Sequence, residues 1–171
     1  MIKVFSVSTL ILFILAMVET AILSNFSFLP AVPDLVLLAS IYIAMMNGKT
    51  AGVLVGFLSG LILDFVTGCP FGYNCLLRTI ICYFAGFFNK NLNFKGIFIP
   101  FLIGLCGTFA KVFVTWIISL FYQNTVVTYS IVSVSFFAEL LLNSLLAPVV
   151  FKITGCFDKH IVVDNITGGD F

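Results

Sequence analysis

Asp64, Arg78, Lys111 and Glu139 are ionisable residues set inside long apolar runs. At mid-membrane each would cost roughly 2.5–3.5 kcal/mol on insertion scales unless a partner neutralised it. The order of the residues predicts two opposite-charge pairs, Asp64 with Arg78 and Lys111 with Glu139, each flanking one outward turn between consecutive helices. Asp64 and Arg78 lie about five and eight residues from the centre of their turn, a depth mismatch of about 5 Å at 1.5 Å per residue that an arginine can span. Buried pairs of this kind either fix helix register or form a relay or docking site, and the sequence leaves both readings open.

Other chemistry is poorly supplied. His160 is the sole histidine and lies near the end of the chain, no G-x-S-x-G occurs, and the glycines match neither a dinucleotide fingerprint nor a phosphate-binding loop. The five cysteines form no C-x-x-C pair and read as small apolar residues, with only Cys69 and Cys75 near one turn where a disulfide is conceivable. Asn25-Phe26-Ser27 and Asn165-Ile166-Thr167 match a glycosylation sequon of low specificity. No basic stripe is present to neutralise a nucleic-acid backbone. These features argue against an enzyme, a metal site, a cofactor or a nucleic-acid partner.

The elements that must position the four charges are membrane helices. Of 171 residues, 61% are hydrophobic and 9% charged, against about 25% charged in ordinary soluble domains. Mean hydropathy is +1.22. At roughly 20 residues per span, the length accommodates about six helices in one integral membrane domain with no room for a soluble one. The apolar runs predict helices at about 4–23, 26–46, 50–66, 73–88, 97–122 and 131–151, with a short, partly disordered tail over 152–171. Helix two is the weakest, because Leu35 to Met46 alone rises only about 18 Å. If it spans, Lys3, Lys49, Lys90, Lys95, Lys152 and Lys159 all fall on one side, so the positive-inside rule predicts six spans with both termini cytoplasmic.

One segment is built differently from the rest. Gly48, Gly52, Gly56, Gly60, Asp64 and Gly68 recur every four residues, a single ridge on a helix that presents bare backbone and then one carboxylate. In lipid such a ridge is a packing surface, either for a neighbouring helix of the same chain or for a partner's helix. Gly52, Gly56, Gly60 and Asp64 are therefore the candidate packing or partner face.

Pro33-Asp34 opening a short apolar helix, then Gly52, Gly56-Phe57, Gly60-Leu61 and Asp64, then Gly68-x-Pro70-Phe71-Gly72-Tyr73-Asn74, resembles the MreD family of bacterial rod shape-determining membrane proteins. The motif match covers roughly residues 33 to 90, and the remaining helices agree in pattern. The resemblance implies an all-α, six-helix fold similar to the substrate-binding subunits of energy-coupling-factor vitamin transporters. It also implies a non-enzymatic component of the cell-elongation machinery in the cytoplasmic membrane, helping to organise peptidoglycan synthesis. Its expected partners are the transmembrane helix of MreC and, through it, MreB, RodA and a class B penicillin-binding transpeptidase. A vitamin-binding transporter subunit is the alternative. Such subunits show an A-x-x-x-A face on helix one, which Ala16-x-x-x-Thr20 matches imperfectly.

Overall fold

The computed structural model describes residues 2–22, 31–88, 96–121 and 134–162, and among these every regular element is a helix. In chain order they are α1 (Ile2–Met17), which widens into a π-helical turn at Val18–Ile22, α2 (Leu35–Asn47), α3 (Lys49–Thr67), α4 (Tyr73–Ala85), extended by a 3-10 turn at Gly86–Phe88, α5 (Phe98–Phe121), α6 (Val134–Gly155) and α7 (Asp158–Ile161). Three helices, Lys49–Thr67, Phe98–Leu120 and Val134–Gly155, are long and apolar enough to cross a membrane. Three shorter apolar helices accompany them, over Phe5–Ala21, Leu35–Asn47 and Tyr73–Phe88. The protein is a membrane protein, and many of its large apolar side chains, among them Phe65, Phe113 and Leu145, point outward from the bundle.

The shortest of these apolar helices is the innermost. Every residue of α2 from Val36 to Met45 is buried, and the helix packs against α1, α3, α4 and α6. It begins at Leu35, and residues 31–34 ahead of it are not helical, so the continuous helix expected over 26–46 is interrupted there. Pro33 disfavours helical backbone at the preceding residue. Asp34 then accepts the Leu37 N–H through its side chain at 2.9 Å, which satisfies one of the free donors of a helix start. The non-helical backbone is tolerated because Pro33 and Asp34 are enclosed by protein rather than lipid. At the other end Gly48, with φ 88°, closes α2 and opens α3 within one residue, a backbone conformation that a side chain would oppose.

The carboxyl-terminal region is more ordered than a solvated tail. Helix α6 continues past Phe151 to Gly155, and α7 folds back onto α1 with Ile161 fully buried. Tyr42 of α2 donates its hydroxyl to Asp158 at 2.9 and 3.0 Å from the two carboxylate oxygens. Burial pushes the Asp158 carboxyl above the usual carboxylate range, and the Tyr42 hydroxyl works in the opposite direction. The expected beginnings of helices two and six at residues 26 and 131, and the last nine residues of the expected tail, lie outside the described residues.

Candidate functional site

The glycine ridge of α3 is occupied by α4. A Cβ placed on Gly52 would stand 2.6 Å from the Cys82 carbonyl oxygen, and one on Gly56 would stand 2.6 Å from the Arg78 carbonyl oxygen and 2.9 Å from Thr79 Cα. On Gly60 it would collide with the backbone of Asn74 and Cys75. From the opposite helix Gly86 closes on Gly48 and Lys49 in the same way, with a Cβ 2.7 Å from Lys49 Cα. Side-chain-free backbone thus meets backbone along the full hairpin, the close approach that association in lipid depends on. Within this chain the ridge is a packing face, and α4 covers the surface that a partner helix would need.

Asp64, the next member of the ridge, meets the beginning of α4. Its carboxylate accepts the backbone N–H groups of Gly72 at 2.9 Å, Asn74 at 3.0 Å and Cys75 at 3.4 Å. These are donors that a helix start leaves without intrahelical partners, and a negative charge there is favoured by the helix dipole. The expected Asp64–Arg78 pair does not form. Arg78 presents its carbonyl to the seam at Gly56 and sends its side chain toward α2 instead. Depth along the helices was matched, but the two side chains leave α3 and α4 in different directions.

What Arg78 reaches is Asp34, whose Oδ1 lies 2.5 Å from Arg78 Nη2. The other oxygen of Asp34 lies 2.9 Å from Lys111 Nζ, and Lys111 also pairs with Glu139 Oε1 at 2.6 Å. The charges from α4, α5, α6 and the N-terminus of α2 therefore form one chain, Arg78–Asp34–Lys111–Glu139, in which the two cations balance the two carboxylates. Asn143, one turn beyond Glu139 on α6, accepts the Asp34 backbone N–H at 2.8 Å and donates to Thr108 of α5 at 3.0 Å. Arg78, Glu139, Asn143 and Thr108 are each at most 2% exposed. Pairing and hydrogen bonding on this scale hold charge in a low-dielectric interior that would otherwise expel it.

Two members of this neighbourhood carried little signal in the sequence. Asp34 stands outside the helical periodicity and reads as a helix cap, which it also is. Glu19 sits at the end of an apolar run, and the π-helical turn that carries it has no sequence signature. Its Oε2 accepts the Val36 N–H at 3.1 Å, so Glu19 and Asp34 both address the first turn of α2. An unpaired cation count would have pointed to them, since Arg78 deprived of Asp64 requires some other buried carboxylate.

A separate feature lies on the outer surface between α4 and α5. Here an apolar groove of about 980 Å³ lies between the two helices beside α2. Its walls include Leu76, Ile80, Phe84, Leu102, Ala110 and Phe113, and Ile41 and Met45 of α2 form the floor. From Leu102 to Ile118 the α5 wall rises about 24 Å, most of the thickness of a hydrocarbon core. All five cysteines are free, Cys69 and Cys75 included, and the described residues contain no cluster of three side chains suited to a metal ion.

Comparison with known proteins gives one positive result. The family model described as rod shape-determining protein MreD matches residues 1–156. No curated protein and no solved structure matches the chain.

Proposed function

This chain belongs to the MreD family of rod shape-determining membrane proteins, and on that footing we propose that it is a non-enzymatic scaffold of the bacterial cell-elongation machinery. It crosses the cytoplasmic membrane six times with both termini inside, binds the transmembrane helix of MreC, and through MreC meets MreB, RodA and a class B penicillin-binding transpeptidase. The exposed Lys49 at the start of α3 and Lys152 at the end of α6 support this orientation, because lysines near helix ends favour the cytoplasmic side.

The observation that carries the reading is the contrast between two surfaces. The glycine seam is filled from within the chain, whereas the α4–α5 groove is open, apolar and long enough for one helix. A segment seated there must satisfy its own backbone hydrogen bonds, as a transmembrane helix does. The groove is thus the surface on which MreC docks, and peptidoglycan synthesis is organised by what MreC brings with it.

A photo-crosslinking residue at Leu76 or Phe113 should capture MreC, and Ala110→Trp should release MreC and round or widen the cells while the protein stays folded. Crosslinks that form from Leu145 on α6 and not from the groove would move the interface. Normal cell shape together with no recoverable MreC would overturn the scaffold reading. Tight co-purification of a small vitamin would favour a transporter subunit in its place.

A further inference from the structure

The charges of the Arg78–Asp34–Lys111–Glu139 cluster do not sum to zero once Glu19 is included. Glu19, Asp34 and Glu139 supply three carboxylates, and Arg78 and Lys111 supply two cations. Glu19 and Asp34 both bind N–H groups of the first turn of α2, at Val36 and Leu37, so two like charges share one helix end. Glu19 also lies within electrostatic reach of Arg78 and Lys111. The other ionisable groups near α1 do not compensate it. Asp64 of α3 is held by the α4 backbone, while Asp158, Lys159 and His160 belong to α7, whose Asp158 is bound to Tyr42 near the opposite end of α2.

A second observation concerns Arg78. Its Nε and Nη1 are buried and have no hydrogen-bond partner among the described residues, although the residue is only 1% exposed. Buried donors of a charged group are costly to leave unmet. The third is the backbone that carries Glu19, a π-helical turn over Val18–Ile22. Such turns are rare and are frequently found at functional sites.

We propose that this cluster is a proton-binding site. One proton resides on Glu19 while the carboxyl accepts the Val36 N–H, and when it is lost the carboxylate is drawn to the unpaired N–H groups of Arg78. In that step the Glu19 O–H bond breaks, both electrons stay on the carboxylate, and the proton passes to water. In the protonated form Arg78 and Lys111 balance Asp34 and Glu139, so the cluster carries no net charge. The deprotonated form gains two donors in compensation, and rewinding of the π turn supplies the movement.

The test is infrared difference spectroscopy on the full chain in lipid nanodiscs between about pH 5 and about pH 9, a range in which a buried carboxyl titrates. An Asp158→Asn background removes the α7 carboxyl, whose titration burial raises. A protonated-carboxyl stretch should be present at the acid end, disappear as pH rises, and be missing from Glu19→Gln. Its absence from the parent protein throughout the range would overturn the proposal, as would its survival in Glu19→Gln, which would put the proton on Asp34 or Glu139. Should Glu19→Gln fail to fold, Arg78→Lys provides an independent reading. Without Nε and Nη1 the deprotonated carboxylate loses its two donors, so the titration must move to higher pH, and an unmoved titration would refute the exchange.

Discussion

Replacing Gly56 by alanine tests the hairpin seam directly. The new Cβ would stand 2.6 Å from the Arg78 carbonyl oxygen, and ordinary contact begins near 3.4 Å, so α4 must retreat by about 0.8 Å (3.4 − 2.6). A gap of that size forfeits roughly a quarter to a half of a contact worth about 0.1–0.2 kcal/mol per atom pair. Over roughly 40 atom pairs along a four-turn backbone seam, the loss is about 1–4 kcal/mol. Better helix propensity offsets up to about 1 kcal/mol of this. The expected net destabilisation is about 1–3 kcal/mol for Gly56→Ala, and above about 3 kcal/mol for Gly56→Leu, where overpacking is added. Retreat of Arg78 also strains its contact with Asp34, 2.5 Å away, so the damage should spread from the hairpin to α2. Reversible unfolding in bicelles gives the free energy, with Gly96→Ala as a control because nothing lies within 4 Å of a Cβ there. If Gly56→Ala unfolds at the same free energy as the parent, backbone contact is not what holds α3 to α4.

Asp34→Asn should be the most damaging single change in the interior, at about 3–5 kcal/mol, since it leaves Arg78 and Lys111 with only Glu139 between them. Adding Lys111→Met to it should restore part of the yield of folded protein, and a double variant no better than Asp34→Asn would contradict the chain of pairs. Asp64→Ala should cost about 1–2 kcal/mol as a lost helix cap. Exchanging Asp64 and Arg78 should rescue nothing, because the two side chains do not meet. The raised Asp158 carboxyl binds its proton more tightly folded than unfolded, so its contribution is complete at low pH and fades as pH rises through the folded value. Asp158→Asn should flatten that slope in pH-dependent unfolding, and Tyr42→Phe should move it to higher pH by removing the donor that opposes the shift.

Spacing was the readable part of this fold, and direction was not. The fourfold recurrence of Gly48, Gly52, Gly56 and Gly60 identifies a ridge without any knowledge of what lies against it, because residues four apart on a helix share a face. Depth is equally readable, and for Lys111 and Glu139 it coincides with contact. For Asp64 and Arg78 it does not, since equal depth leaves the rotation of each helix free. The opening of α2 was hidden for a different reason: an extended segment enclosed by other helices has the same apolar composition as a helix. The ordered end at α7 depends on Tyr42 and on a surface of α1 more than a hundred residues upstream, which no local pattern encodes.

The enclosed position of α2 has a bearing on how the chain is made. Asp34 enters the translocation machinery with neither of its counterions yet synthesised: Arg78 follows it by 44 residues and Lys111 by 77 (111 − 34). At about 5–20 residues per second the second counterion, Lys111, becomes available only some 4–15 s later. Until then the helix that will be deepest in the finished bundle is a short segment with a bare carboxylate at its mouth. Insertion factors, or water retained beside the ribosome exit, must shelter it until α5 emerges.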